Sequence, residues 1–198
     1  MPLTYSATGL PSGLSIDPNT GVIAGTLPVD ASENSPYTVT ITADDGEATA
    51  DQVFTWTIAN PSPDSVDDAF TADADDAAAV VGNALVNDAD PDGDTIAAVP
   101  ASNVAGTDGG LFSIAANGDV TFDPNGDFDA LGSGITADTS FDYTLEDAQG
   151  AQSVATVTVT VTGTNQPPEP VGSIPNQSND DDDPVTLDVS GYLTDPDA

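Results

Sequence analysis

The stretch Ala155-Thr156-Val157-Thr158-Val159-Thr160-Val161-Thr162 alternates an apolar residue with threonine along its whole length. Successive side chains on a strand point to opposite faces, so this run carries one apolar face and one hydroxyl face. Threonine and valine both suit a pleated, half-buried surface. The run therefore predicts a long strand in an antiparallel sheet with one face on a core. The same period recurs upstream. Tyr37, Val39, Ile41 and Ala43 alternate with Thr38, Thr40 and Thr42, and Phe54, Trp56 and Ile58 alternate with Thr55 and Thr57. Asn117-Gly118, set between Phe112/Ile114 and Val120/Phe122, predicts a hairpin closed by a two-residue turn. Only the alanine-rich residues 73–86 invite a helix, and Gly82 argues against one. Short strands separated by turns every eight to twelve residues or so define an all-β chain of antiparallel Ig-like sandwiches in tandem.

Charge narrows the chemistry. The chain has 198 residues, 34 of them acidic, with no Lys, Arg, His or Cys and a net charge of −34. Phosphate recognition needs basic groups, so nucleic acid is excluded as a partner. Zinc, haem and iron–sulfur sites need His or Cys, and Ser-His-Asp or Cys-His catalysis needs a base this chain lacks. Carboxylates, hydroxyls and carbonyls remain, and these are ligands for a hard cation such as Ca²⁺. No apolar run is long enough for a membrane span, and no signal-peptide core follows the lone methionine at position 1. Membrane insertion is not expected. That methionine reads as an expression start and the chain as an excerpt of something longer.

Two proline clusters divide the chain. Asn60-Pro61-Ser62-Pro63 and Asn165-Gln166-Pro167-Pro168-Glu169-Pro170 favour extended backbone and read as stiff linkers. Three pieces result: residues 1–60, 61–165 and 166–198. The middle piece is sandwich-sized, whereas the outer two together amount to about one Ig-like domain. The expectation is a tandem array cut out of phase. Residues 1–60 form the C-terminal part of one domain and residues 166–198 the N-terminal part of the next. Half a core would then lie open on the first piece, at Val39, Ile41, Phe54 and Trp56, while Val185, Leu187 and Val189 offer an alternating apolar face on the last. Head-to-tail self-association through residues 1–60 and 166–198 follows as an expectation.

The segment from Gly9 to Thr26, GLPSGLSIDPNTGVIAGT, resembles the Ig-like and dystroglycan-type cadherin-like repeats in nearly every position of their GLPxGLxxDxxTGxIxGT pattern. The opening of such a repeat resembles Asn165 to Pro168 through Val185-Thr-Leu-Asp-Val189 and Tyr192-Leu-Thr-Asp-Pro-Asp197. The middle piece is similar to bacterial cadherin-like repeats of the VCBS type. Leu85 to Asp94, Gly118 to Asp129, Phe141 to Asp147 and the closing strand from Ala155 to Asn165 carry that likeness. The resemblance implies an extracellular repeat of a large, RTX-type bacterial surface adhesin.

Asp90-Pro91-Asp92 and Asp195-Pro196-Asp197 are the sharpest chemical features. In extended backbone, residues two apart point to the same side, so paired carboxylates can converge on one cation. Proline lowers the cost of ordering the loop. Asp88 and Asp94 lie close enough to take part, and Asn60 could add an oxygen from the linker. The resemblance places the Asp-x-Asp loop at the domain end facing the preceding linker and makes Asp147, at the tip of the last hairpin, a further ligand. Asp44 and Asp45, at the matching tip in the first piece, would complete with Asp195 and Asp197 an ion site divided between neighbours. All these residues are also ordinary turn formers. In a chain without one cation, however, clustered carboxylates repel one another unopposed. Asp123, Asp127 and Asp129 lack the closing Glu and flanking helices of an EF-hand and read as a solvated turn anchored by Phe128 and Leu131. The tetrad Asp180–Asp183 reads as a solvated loop, and the threonines of 156–162 as an exposed sheet face rather than an ice or sugar platform. Trp56, in phase with Phe54 and Ile58, reads as core.

The functional expectation is a calcium-rigidified spacer of a bacterial surface adhesin. Its rival is a module that binds a glycan or another surface protein, which would need an exposed aromatic platform or an enlarged loop. Hydrolysis by two carboxylates would need a cleft that short sandwich loops do not offer.

Overall fold

The computed structural model describes every residue except 1, 183, 196 and 198. Asp183 of the acidic tetrad and Pro196 therefore lie outside the described residues. The chain forms two compact units. One comprises Met1–Ser65, Asp88–Ala97 and Leu145–Ser153, the other Val66–Asn87, Ala98–Thr144 and Val154–Ala198. The elements described are strands and one short 3₁₀ turn.

The first unit holds Thr4–Thr8 (β1), Leu14–Ile16 (β2), Ile23–Gly25 (β3), Tyr37–Asp44 (β4) and Thr49–Trp56 (β5). Three of these form a sheet in the order β1-β4-β5, and β2 pairs with β3 as a separate hairpin. Tyr37 lies opposite Trp56 and Val39 opposite Phe54, so the apolar members of both runs share one face, as their period requires. Val39 is fully buried, which corrects its expected exposure, whereas Phe54 is 37% exposed. Trp56 is half-buried rather than core. It ends an edge strand and lines an open groove with Leu14, Ile23 and Leu27.

The strands that follow are Asp68–Asp73 (β6), Ala79–Asn83 (β7), Ile96–Ala98 (β8), Ala101–Ala105 (β9), Leu111–Ile114 (β10), Asp119–Asp123 (β11), Thr136–Asp147 (β12) and Gln152–Thr162 (β13). They build two sheets, β7-β11-β10-β9 and β6-β13-β12-β8. Apolar residues at alternate positions fill the space between the sheets, with Phe112, Val120, Phe122, Val157, Val159 and Val161 at most 1% exposed. Phe112 joins the two layers: its ring stacks on Phe141 of the facing sheet at 4.6 Å and tilts against Phe122 at 4.8 Å. This is a β-sandwich. One strand pair departs from the antiparallel expectation. β6 runs parallel to β13, with Asp68 opposite Val157 and Asp73 opposite Thr162, so the first and last strands of the sandwich point the same way.

Gly82 is required by packing. A Cβ there would lie 2.1 Å from the Phe70 ring, and residues 73–86 form strand and turn instead of helix. The hairpin at Asn117-Gly118 is longer than expected. Ala115 still pairs with Asp119, and the Gly118 N–H donates to the Ala115 carbonyl at 2.8 Å, so residues 116–118 make a three-residue turn. Gly118 sits at φ +84°, the left-handed position that a type I turn with a bulge assigns to glycine. The loop from Asp123 to Asp129 is held by its own turn bonds, by buried Phe128 and by Asp127 Oδ2, which accepts the Gly110 N–H at 2.8 Å. Leu131 is only half-buried there. On the hydroxyl face of β13, Thr156 and Thr160 donate to Asp142 and Asp138 at 2.8 and 2.7 Å. Those two hydroxyls are thus engaged within the sheet. The chain after β13 returns in a small pair, Glu169–Pro170 (β14) with Leu193–Thr194 (β15).

Candidate metal centre

The loop that leads into β8 is pinned near Asp88 by a backbone bridge. The Asp64 N–H donates to the Ala89 carbonyl at 2.8 Å and the Ala89 N–H returns a bond at 3.2 Å. Beyond that point the loop wraps around one oxygen. Asp90 Oδ1 accepts the N–H groups of Asp92, Gly93 and Asp94 at 3.0, 3.1 and 3.2 Å. Gly93 turns the chain at φ +88°, where glycine carries no Cβ penalty. The Asp-Pro-Asp segment is therefore a capped turn and not the extended backbone expected from sequence. The carboxylates converge all the same: one oxygen from each of Asp90, Asp92 and Asp94 lies within 4.8 Å of the others. Asp88 is not a member of that group.

A polar ring encloses the cluster within the same unit. Asp147, 5% exposed, accepts the Asn60 amide on Oδ2 at 2.6 Å and the Gln149 and Ala151 N–H groups on Oδ1 at 2.8 and 2.9 Å. Ser32 Oγ lies 3.2 Å from Asn60 Oδ1 and 3.3 Å from Asp92 Oδ2. Gln149 Nε2 donates to Asp94 Oδ2 at 2.7 Å and to Ser32 Oγ at 3.3 Å. Sequence reasoning found Asn60 and Asp147 but missed Ser32 and Gln149, which no motif marks.

Two carboxylate oxygens in this loop, Asp90 Oδ2 and Asp92 Oδ1, are buried without a hydrogen-bond partner. Burying an unpaired carboxylate oxygen is costly. An all-oxygen set of converging carboxylates, with an amide and a hydroxyl beside it, fits Ca²⁺, which takes six to eight oxygens. Asp90, Asp92 and Asp94 would supply the charge, and Asn60 Oδ1, Asp147 and water the remainder.

The other expected ligands are placed elsewhere. Asp44 Oδ1 accepts the Gly46 N–H at 2.7 Å, and Asp45 Oδ1 accepts those of Glu47 and Ala48 at 2.9 and 2.8 Å. Both cap the β4–β5 turn, and the two N–H bonds hold Asp45 below its ordinary pKa. In the second unit, Asp195 Oδ1 accepts the Asp197 N–H at 3.1 Å and Asp197 Oδ2 accepts the Gln166 N–H at 2.7 Å. Asp197 Oδ1 is a further buried oxygen without a partner. That turn bond repeats the one between Asp90 and Asp92.

The family model described as Bacterial cadherin-like domain matches residues 60–163, more than half of the chain. The chain belongs to that family. A second model, described as Putative Ig domain, matches residues 1–59. Among solved structures, this cadherin-like chain is similar to human protocadherin-24 EC1-2, with 16% identity over 84% of this chain and 83% of that one and a TM-score of 0.37. It is also similar to mouse cadherin-23 EC22-24, with 15% identity over 82% of this chain and 53% of that one at a TM-score of 0.39. For Drosophila N-cadherin EC1-3 the figures are 12%, 85%, 57% and 0.47. No curated protein matches the chain. Cadherin-like and Ig-like domains are non-enzymatic adhesion modules, cadherin-like domains generally bind Ca²⁺, and the bacterial ones are typically extracellular. Among the described residues no helix is long and apolar enough to cross a membrane.

Crowding of like charges shows in the acidities. Asp92 is pushed up to about 6, first by the hydrogen bond to Asp90 that only its protonated carboxyl can make, then by partial burial and the charges of Asp90 and Asp94; the Ser32 hydroxyl opposes. Partial burial also acts to raise Asp90, but hydrogen bonds from Asp92, Asp94 and Gly93 outweigh it and hold Asp90 below its ordinary value. With its pKa raised from 3.8 to about 6, Asp92 binds more proton in the ion-free fold than in the unfolded chain. Its stabilising contribution is full below 3.8 and lost as pH rises through about 6. The lowered Asp90 acts oppositely, and only below the ordinary carboxylate value. A cation replaces the proton on Asp92, so Ca²⁺ affinity is expected to fall as pH drops through about 6. In chelator at neutral pH, Asp92→Asn is expected to melt higher than the parent chain, and in Ca²⁺ lower. Thermal melts across that pH range, with and without Ca²⁺, check both signs.

Proposed function

We propose that this cadherin-like chain is a calcium-rigidified extender of a large bacterial extracellular adhesin. The observation that carries the reading is the pair of buried, partnerless oxygens on Asp90 and Asp92, in a group of three carboxylates that no Lys, Arg or His neutralises. A divalent ion there cancels their repulsion and draws Asn60 and Ser32, residues of the segment up to Ser65, against the loop of Asp90 and the hairpin tip of Asp147. A hinge becomes a fixed joint. Asp88, at the start of the loop, joins the three carboxylates as a further ligand. Asp195 and Asp197 form the start of an equivalent joint, completed by Asp44 or Asp45 of a neighbouring repeat. On this reading residues 61–165 are one whole sandwich. Residues 1–60 and 166–198 are complementary parts of Ig-like domains, through which copies associate head to tail at the cell surface. Most other acids keep the rod solvated. The test is calorimetric melting of the chain in millimolar Ca²⁺ and in chelator. The calcium curve is expected to lie higher; coincident curves would rule out a calcium-dependent joint.

A further inference from the structure

The edge of β5 is unguarded. β5 ends the sheet β1-β4-β5, and from Gln52 to its end at Trp56 it carries no charge and no proline, its one acid, Asp51, lying nearer the start and accepting the Thr42 hydroxyl. Sheet edges are ordinarily blunted by charge, proline or bulges, because free N–H and C=O groups recruit another strand. Here the edge also exposes apolar surface. Val53 is 54% and Phe54 37% exposed, and Trp56 stands 6.2 Å from Phe54, ring to ring. A groove of about 560 Å³, lined by Leu14, Ile23, Leu27 and Trp56, opens beside it.

The same chain holds a segment of the opposite kind. Residues 184–189 belong to no strand, yet Val185, Leu187 and Val189 alternate with Thr186 and Asp188. Those three apolar side chains are 58%, 44% and 39% exposed. Asp188 is the one acid among them.

We propose that residues 184–190 of a second copy dock as an added strand on the free edge of β5. This deepens the head-to-tail reading above by naming the strand that is given and the strand that receives it. Period two places Val185, Leu187 and Val189 on the face of Phe54 and Trp56, and Thr186 and Asp188 on the face of Thr55 and Val53. Main-chain bonds supply the pairing and the apolar face its register. Charge selects the occupant. Two strands from molecules of net charge −34 can approach only where both are nearly neutral, and these two stretches are. A basic partner would be drawn instead to the acidic loops, since this edge offers it no counter-charge.

The chain has no cysteine, so introduced thiols report cleanly, and Trp56 is its single tryptophan. Thr55→Cys and Thr186→Cys chains are mixed under mild oxidation with Ca²⁺. The expected result is a mixed disulfide dimer on the order of tenfold more abundant than the one between Thr186→Cys and an exposed-loop control, Thr20→Cys. Leu187→Asp or Val185→Asp in the donor chain should abolish the excess, with folding verified by circular dichroism. Trp56 emission should shift to shorter wavelength with concentration in the parent chain and not in Leu187→Asp. A mixed disulfide no more abundant than the control overturns the proposal. If light scattering then still shows association, the head-to-tail reading survives without this strand; monomers throughout remove both. A Thr55→Cys/Thr186→Cys chain that closes only on itself also overturns it, since the segment then covers its own edge.

Discussion

Phe112→Ala is expected to cost the sandwich about 3–5 kcal/mol, the range for deleting a fully enclosed aromatic ring. Phe112 is 0% exposed and touches both layers, stacked on Phe141 and tilted against Phe122. Its surroundings are poorly placed to collapse into the space. Gly106 lies so close that a Cβ there would sit 2.8 Å from the ring, and Phe122 and Phe141 are each held by their own strands. Domains of this size are stable by roughly 5–15 kcal/mol, so the variant loses much of its margin. Val104→Ala, on a position 37% exposed, should change stability by no more than about 0.5 kcal/mol. Urea unfolding of the three chains measures the difference. A loss below about 1 kcal/mol for Phe112→Ala would mean that the sheets are not joined through this ring.

The second large effect is conditional on calcium. Ligand that binds only the folded state adds RT ln(1 + [L]/Kd), about 2.7 kcal/mol at a hundredfold excess over Kd. Asp90→Ala together with Asp92→Ala is expected to remove nearly all of that gain. Asp90 does two things at once, since Oδ1 caps three N–H groups while Oδ2 is left for an ion. The double variant should therefore also loosen the loop in chelator. Asp92→Asn separates the roles by removing charge and leaving the capped turn. Asp127→Ala is the control. Its carboxylate is bonded to the Gly110 N–H and is not one of the three converging carboxylates, so the variant should lose a little stability and keep the calcium response. Calorimetric melts in Ca²⁺ and in chelator distinguish all four chains.

Strands were legible because alternation over eight or more residues has one physical outcome, and the runs at 37–44 and 152–162 are strands in the structure. Direction was not, since period two is identical in parallel and antiparallel pairs; hence β6 beside β13 came as a departure. Asn117-Gly118 marked a turn but not its length, because a left-handed glycine serves both two- and three-residue hairpins. At the candidate metal centre, local spacing revealed Asp90, Asp92 and Asp94. Ser32 meets Asp92 across 60 residues of sequence and Gln149 meets Asp94 across 55, and a lone polar residue in a loop has no periodicity to announce that meeting. The mode of convergence was also hidden. Alternating side chains would have served, but the carboxylate of Asp90 folds the loop around itself.

Anomalous diffraction from a crystal grown in millimolar Ca²⁺ shows directly whether an ion sits in this loop. A calcium peak is expected among the carboxylates of Asp90, Asp92 and Asp94, with ligand oxygens at about 2.3–2.6 Å and the two now partnerless oxygens among them. No peak there, with Asp90 Oδ2 and Asp92 Oδ1 still without a partner and calcium bound only at other acids, would contradict a calcium site in this loop.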